Sequence, residues 1–332
     1  MSRVVVEHLS KEYVLKAGFV KQVSGRSGVV RAVSDISFTM EEGEILGLVG
    51  ESGCGKTTLG KMLVKIEEAT SGRILIDDID VTRMKRKDKR TFRKDVQMIF
   101  QDPYDSLDPK FTVCDVIAEP LKYLKLAKGE QEIREKVTEM LQKVELSPPE
   151  LFIDRYPHRL SGGQRQRVAI ARALVVEPKF VVADEPVSML DVSIRAGVLN
   201  LLQKLNREQG IGVLLITHDL ATARFLCHRI VVMYLGKVME ITRPQELVDR
   251  PAHPYSQLLL SSAPDLFADE QRRIPVAGEA ANAVVPPSGC RFSPRCPYAT
   301  EACAQSEPEL RDLGDGHLVA CHHSDRLTSG QS

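Results

Sequence analysis

The sequence lacks net charge. Its 45 lysines and arginines balance 45 aspartates and glutamates, for a pI of about 7.1, and nothing in that balance points to nucleic acid. It also lacks any apolar run approaching the roughly 20 residues that a membrane-spanning helix needs. The start, Met1 to Glu7, has no apolar core of a signal peptide, which predicts a chain that stays in the cytosol. Seven cysteines in 332 residues are too few for a disulfide framework in a cytosolic chain, and they are unevenly placed. Cys54, Cys114 and Cys227 are scattered, while Cys290, Cys296, Cys303 and Cys321 crowd the tail. No internal repeat is present. What remains is an ordinary globular composition, 43% hydrophobic and 27% charged, long enough for two domains or for one large domain with an appendage.

Against these absences, one stretch is rich in information. Gly50–Glu51–Ser52–Gly53–Cys54–Gly55–Lys56–Thr57–Thr58 reads G-x-x-x-x-G-K-T. Such a loop turns backbone N–H groups toward the phosphates of a nucleotide. Its glycines allow dihedrals and close approaches that a side chain would forbid. Lys56 supplies a point charge to the β/γ-phosphates, and the Thr57 hydroxyl is a ligand type suited to Mg²⁺. The flanks agree: Ile45–Val49 is a short apolar strand, and Thr58–Leu63 opens a helix whose N-terminus faces the anion.

Along the chain, Arg3–Leu9 and Val33–Met40 read as strands, the second with a half-buried alternation. Lys16–Val30 reads as an exposed hairpin or loop. Arg73–Asp77 and Val96–Phe100 are further strands. The basic run Arg83, Lys85, Arg86, Lys87, Lys89, Arg90, Arg93 and Lys94 reads as a solvated helix face in preference to a membrane-facing patch. From Gln101 to about Arg159, prolines punctuate short helices, one marked by Ile133, Val137, Leu141 and Val144. This stretch reads as a helical insertion able to carry contacts to other proteins. Helices are then expected over Arg165–Leu174 and around Val198, Leu201, Leu202 and Leu205. Phe180–Ala183 and Gly212–Ile216 are wholly apolar strands of the kind found inside a parallel sheet. Ile230–Met233 and Val238–Ile241 flank Leu235–Gly236 as an edge hairpin. After about Pro244 the pattern loosens, which sets a boundary there.

Five further motifs follow the loop in order. Gln101 ends an apolar strand, where its neutral amide can reach Mg²⁺ or an attacking water. Ser161, an N-cap type, precedes Gly162, Gly163 and Gln164 at the start of a helix, making a second anion-reading turn. Asp184 and Glu185 close the apolar strand from Phe180. Asp184 is suited to hold Mg²⁺ and Glu185 to act as general base on water. Ser188–Asp191 follows, with Asp191 able to bond across an interface. His218 ends the next strand and can contact a γ-phosphate.

This order resembles the ATP-binding cassette (ABC) ATPases over roughly residues 3–243. Matched to that family, Gly50–Thr57 is Walker A, Gln101 the Q-loop and Leu160–Gln164 the signature motif. Phe180–Glu185 is Walker B, Ser188–Asp191 the D-loop and His218 the switch histidine. The one small departure is Met189, where the family commonly has Ala. The resemblance implies an α/β fold: a P-loop NTPase (RecA-like) core with an N-terminal antiparallel β subdomain, a helical insertion and a small C-terminal cysteine-containing extension. The expected division is 1–243 for the ATPase domain, its helical part about 102–164, and 244–332 for the extension. The resemblance also implies that two cassettes pack head to tail, so that each nucleotide lies between one P-loop and the other cassette's signature motif: Ser161 and Gly163 act in trans, with Gly162, Gln164 and Asp191 counted among the nucleotide-binding residues. Tyr13 matches the aromatic that stacks on adenine.

Gln101–Pro109, Arg155–Arg159 and Ala252–Ser256 are similar to the oligopeptide/dipeptide importer ATPases, most of all to the second ATPase subunit of such systems. That implies ATP and Mg²⁺ as ligands, a second and different ATPase subunit, two membrane permeases, an extracytoplasmic solute-binding protein acting indirectly, and a peripheral place on the cytoplasmic face of the membrane. Nickel or oligosaccharides are alternative cargoes. A non-transport ATPase of the same family and a non-hydrolysing regulatory subunit are the remaining alternatives. Cys290, Cys296, Cys303 and Cys321 have the number for one tetrathiolate site. Their spacing lacks the C-x2-C pairs usual for structural zinc and is compatible with an iron–sulfur cluster. The resemblance points to [4Fe–4S]; Zn²⁺, free thiols or an oxidative disulfide remain open.

Overall fold

The computed structural model describes residues 3–14, 28–77, 79–85, 88–262 and 286–325. The loop expected over 16–30 lies outside the described residues except for its last three, and so do Arg86 and Lys87. The chain divides into two compact units. One comprises Val4–Met40, Leu46–Thr82 and Thr217–Ser332; the other comprises Met1–Arg3, Glu41–Ile45 and Arg83–Ile216.

The first unit opens with β1 (Val4–Val14) and β2 (Val29–Met40), paired antiparallel. Alternation along β2 buries Val33, Ile36, Phe38 and Met40, as a sheet with one covered face requires. Next comes β3 (Ile45–Val49), buried at every residue, and the glycine-rich loop, which leads into α1 (Lys56–Leu63). β4 (Ser71–Ile76) and β5 (Ile79–Asp80) then complete an antiparallel sheet of order β2-β1-β4-β5. This is the antiparallel subdomain expected at the N-terminal end.

The second unit carries three parallel strands and the helical insertion. α2 (Lys89–Asp95) buries only Phe92, so the basic run is a solvated face where it is described. β6 (Val96–Ile99) follows, then α3 (Pro103–Ser106), α4 (Val113–Leu124) and α5 (Glu130–Lys143). α4 begins at a capping box, in which Thr112 and Asp115 each satisfy the other's backbone N–H. α5 buries Ile133, Val137 and Leu141, the apolar stripe read from the sequence. Both helices pack against α6 (Gly162–Leu174). β7 (Phe180–Asp184), α7 (Val192–Gln209) and β8 (Gly212–Thr217) complete the unit. β7 pairs parallel with β6 and, on its other side, with β8. Its residues are buried on both faces, which is why Phe180–Ala183 is apolar without alternation.

The chain then returns to the first unit through α8 (Leu220–Leu226), β9 (Arg229–Tyr234) and β10 (Lys237–Thr242). β9 pairs parallel with β3 and antiparallel with β10. The tail forms α9 (Pro244–Asp249), α10 (Pro254–Ser261), a 3-10 turn at Ser293–Arg295, α11 (Glu301–Gln305), β11 (Arg311–Asp312) and β12 (Leu318–Val319). The β9–β10 hairpin is therefore not at an edge. β12 pairs antiparallel with β10 through Glu240↔Val319 and Ile241↔Leu318, so a strand of the tail covers the side that the sequence reading left open. Glu240, wholly buried, anchors the same junction. It accepts from the N–H groups of Ala252 (3.0 Å) and His253 (2.9 Å) and pairs with His317 Nε2 at 2.7 Å.

Candidate functional site

The glycine-rich loop and its surroundings lie in the first unit. Gly55 caps α1 with φ 104°. A Cβ there would stand 2.0 Å from the Ala32 carbonyl oxygen, so no other residue fits. This close approach also sets the end of β2 beside the loop. Tyr13 pairs with Val30 on the neighbouring strand, and its half-exposed ring is covered on one face by Lys11 Nζ at 4.8 Å. Ser52 and Gly53 are exposed at the tip. Lys56 is buried, and its ammonium donates to the carbonyls of Gly50 (2.8 Å) and Glu51 (2.9 Å). It is thereby aimed back over the loop it follows. Thr57 and Thr58 are half-buried in the first turn of α1. Cys54 turns its sulfur inward, 3.7 Å from Lys56 Nζ, and burial raises its thiol pKa. His218, exposed, stands one residue beyond β8. The next residue, Asp219, caps α8 by accepting from Ala221 N–H and Thr222 Oγ1.

The second unit brings the remaining candidates onto adjoining strand and helix ends. Asp184 is the buried last residue of β7. Glu185 follows with φ 44°, a left-handed conformation that non-glycine residues seldom hold. It is fixed there from several sides. Its N–H donates to the Ile216 carbonyl at 2.8 Å, and its carbonyl accepts from Ser188 N–H and Oγ at 3.2 and 3.1 Å. Gln101, just past β6, donates from Nε2 to Glu185 Oε2 at 3.1 Å. Strain held in place by such a set of bonds is a mark of a working position. Met189, Asp191 and Val192 are exposed at the start of α7.

The Ser161 turn is a full capping box. Ser161 N–H donates to Gln164 Oε1 (3.0 Å) and Gln164 N–H to Ser161 Oγ (3.3 Å). The N–H groups of Gly162 and Gly163 lie in the first turn, where no intrahelical acceptor exists. Gly163 is there for space: a Cβ would meet Ile194 Cγ2 of α7 at 2.5 Å.

In the tail, Cys290, Cys296, Cys303 and Cys321 line one small cavity together with His253, Phe292, His322 and His323. None of the seven cysteines is in a disulfide. Burial pushes the Cys290 thiol up, Cys296 to about 11 and Cys321 to about 12. Cys303 Sγ lies 3.4 Å from His323 Nε2. Among the described residues, no three or more His, Cys, Asp or Glu side chains are drawn together as a metal-ion site. The cavity brings the four thiols together in one lining. His322 and His323 were not singled out from the sequence, although His322 directly follows the last cysteine.

The sequence reading also missed the ties of Glu51. Its carboxylate oxygens accept from Arg295 Nη1 at 3.0 and 2.9 Å, and its N–H donates to Tyr255 Oη at 2.8 Å. Burial pushes the Tyr255 phenol well above its usual range, so it remains a neutral hydroxyl. The signal was an acid inside a loop built for anions, which calls for a compensating cation.

Residues 33–188 match the family model described as ABC transporter, and residues 239–303 match the model for the oligopeptide/dipeptide transporter C-terminal region. A probable peptide ABC transporter ATP-binding protein of Sinorhizobium fredii is 44% identical over 318 residues, 96% of this chain and 88% of that protein. The oligopeptide transport ATP-binding protein AppF of Bacillus subtilis is 43% identical, over 95% of each chain. Among solved structures, the ATP-binding cassette MJ0796, in a dimeric post-hydrolysis state bound to ADP and Pi, is similar with a TM-score of 0.64 and 30% identity, covering 73% of this chain and 98% of that one.

Proposed function

The chain belongs to the ABC transporter ATPases, and on that premise we propose that it energises the import of peptides across a membrane. The observation that carries this reading is the Gln101–Glu185 bond behind the buried Asp184, in a chain that also carries the oligopeptide/dipeptide transporter C-terminal region. The substrate is ATP. Lys56 binds its β/γ-phosphates, and Gly50, Ser52, Gly53, Cys54, Gly55 and Thr58 line them through the loop backbone and the first turn of α1. Tyr13 stacks on the adenine. Thr57, Gln101 and Asp184 have the oxygen donors that would hold Mg²⁺, which supplies charge neutralisation on the phosphates. Glu185 takes the proton of the attacking water, and His218 orients that water against the γ-phosphate. Gln101 positions the Glu185 carboxylate through the bond from its Nε2, and its side-chain oxygen would be available to a bound Mg²⁺.

A second ATPase subunit closes the site. Ser161, Gly162, Gly163 and Gln164 offer a helix N-terminus to the phosphates of a nucleotide on that subunit, and Asp191 bonds across the interface. The exposure of Met189, Asp191 and Val192 is what such a contact needs. In the helical insertion, Tyr104, Phe111, Tyr123 and Tyr156 expose aromatic surface, which suits docking of two permease subunits. In this reading the permeases are separate chains and this one sits peripherally on the cytoplasmic face; among the described residues no helix is long and apolar enough to cross a membrane. The names of the relatives favour peptides over nickel or oligosaccharides. The boundary between ATPase domain and extension falls near Pro244.

We further propose that Cys290, Cys296, Cys303 and Cys321 would together hold one thiophilic group in the tail. Four thiols on one cavity form a donor set that fits a thiophilic group such as [4Fe–4S] or Zn²⁺, and binding would require deprotonation of Cys290, Cys296 and Cys321 against the burial that raises their pKa values. Such a group would supply a structural staple to the extension.

Co-purification in mild detergent from native membranes tests the transport reading. Permeases and a solute-binding protein are expected with the chain, and peptide added with that binding protein should stimulate ATP turnover. A chain recovered without any membrane protein, from cells that express them all, contradicts it.

A further inference from the structure

Glu51 sits among phosphate-binding residues, yet its polar groups are engaged by the protein. The carboxylate goes to Arg295, the N–H to Tyr255, and the carbonyl accepts from Lys56 Nζ and from Cys54 N–H at 3.3 Å. Arg295 and Glu51 are 244 residues apart. The Arg295 side chain is only 11% exposed. It lies over the rings of Tyr234 (5.7 Å) and Phe292 (5.8 Å), donates to Tyr234 Oη at 3.3 Å, and leaves its own Nε buried without an acceptor. A buried donor left unmatched is a cost that packing alone does not explain.

Arg295 also ends the 3-10 turn that leads directly into Cys296. The same segment grips the loop's surroundings twice more. Phe292 packs against Tyr234 and Tyr255, with ring centroids at 5.4 Å in each case. Arg291 donates to the Leu235 carbonyl at 3.1 Å, and the next residue, Gly236, donates from N–H to the Cys54 carbonyl at 2.9 Å.

We propose that Arg295 is a positioning residue for nucleotide binding: it neutralises Glu51 and, with Tyr255, holds the glycine-rich loop in its phosphate-receiving shape, so that the cysteine-bearing segment and the nucleotide site are linked. This deepens the ATP-binding reading and rests on it. An uncompensated carboxylate at this position would repel the phosphates. The guanidinium removes that repulsion and ties the loop to the tail. Linkage is reciprocal, so nucleotide steadies the tail to the same degree that the tail favours nucleotide.

The test is equilibrium binding of a fluorescent ATP analogue to the full chain and to Arg295→Gln, Glu51→Gln and the double variant. Arg295→Gln should weaken binding about tenfold, from the bared carboxylate. Glu51→Gln should bind at least as well as wild type. The double variant should recover most of the loss, because the offending charge is gone. If Arg295 served only the packing of the tail, the double variant would bind as poorly as Arg295→Gln. That result, or unchanged binding by Arg295→Gln, overturns the proposal. Should Arg295→Gln fail to fold, Arg295→Met replaces it: it fills the space over the Tyr234 and Phe292 rings but still bares the Glu51 carboxylate, and its weaker binding must likewise be relieved by Glu51→Gln. Failure of the wild-type chain to bind the analogue, or binding unaffected by Lys56→Ala, would instead count against the nucleotide reading.

Discussion

Gln101 Nε2 donates a 3.1 Å hydrogen bond to Glu185 Oε2, so the amide proposed to sense the metal already touches the carboxylate proposed to take the proton. The two residues extend neighbouring parallel strands, β6 and β7, and their backbones are placed by the sheet.

Gln101→Ala should therefore impair turnover more than binding. Loss of one such hydrogen bond predicts a kcat about tenfold lower in the assembled complex, with the KM for ATP changed by less than about twofold. Steady-state ATP hydrolysis over a range of ATP concentrations separates the two effects.

The two signature glycines should respond differently to the same change. A Cβ at Gly163 meets Ile194 Cγ2 at 2.5 Å, whereas at Gly162 the nearest atom is Leu190 Cδ2 at 3.5 Å, an ordinary contact. Gly163→Ala is expected to destabilise by about 1–3 kcal/mol through overpacking, and Gly162→Ala to be neutral within about 0.5 kcal/mol. Chemical denaturation of each variant measures both, and Ile194→Ala should recover part of the Gly163→Ala loss.

His253 makes the tail sensitive to acid. Its Nδ1 accepts from Tyr255 N–H at 2.9 Å, and the ring also bonds the Ala320 backbone. Burial lowers its pKa from 6.5 to about 4, against the opposing pull of Glu240. The unfolded chain takes up this proton below about pH 6.5 while the folded chain refuses it until about pH 4. Stability is thus complete above pH 6.5 and falls by about 3 kcal/mol between those values. His253→Asn keeps an acceptor for the cap without the titration. Thermal unfolding should show a larger drop in midpoint from pH 7 to pH 5 for wild type than for His253→Asn.

Much of this was legible in the sequence because each motif ends a strong local pattern. Runs of buried residues before Gly50 (Ile45–Val49), Asp184 (Phe180–Ala183) and His218 (Gly212–Thr217) fix strand ends, and the capping pair Ser161–Gln164 fixes a helix start. The edge hairpin was misread for an equally physical reason. Leu318–Val319 is two residues long, too short for any alternation to announce a strand, yet it pairs with β10. The Arg295–Glu51 bridge joins residues far apart in sequence, and no spacing rule reaches that distance. The buried Glu240–His317 pair was hidden likewise, since a glutamate within a strand gives no sign of which distant base will meet it.

The central claim is that this chain's own Glu185 drives hydrolysis. The direct measurement is ATP turnover of the assembled transporter carrying Glu185→Gln, with ATP binding measured in parallel. Binding should persist while turnover falls by roughly 10²–10⁴-fold, the share a positioned general base contributes. Turnover equal to wild type would show that this carboxylate is dispensable and that hydrolysis belongs to another subunit.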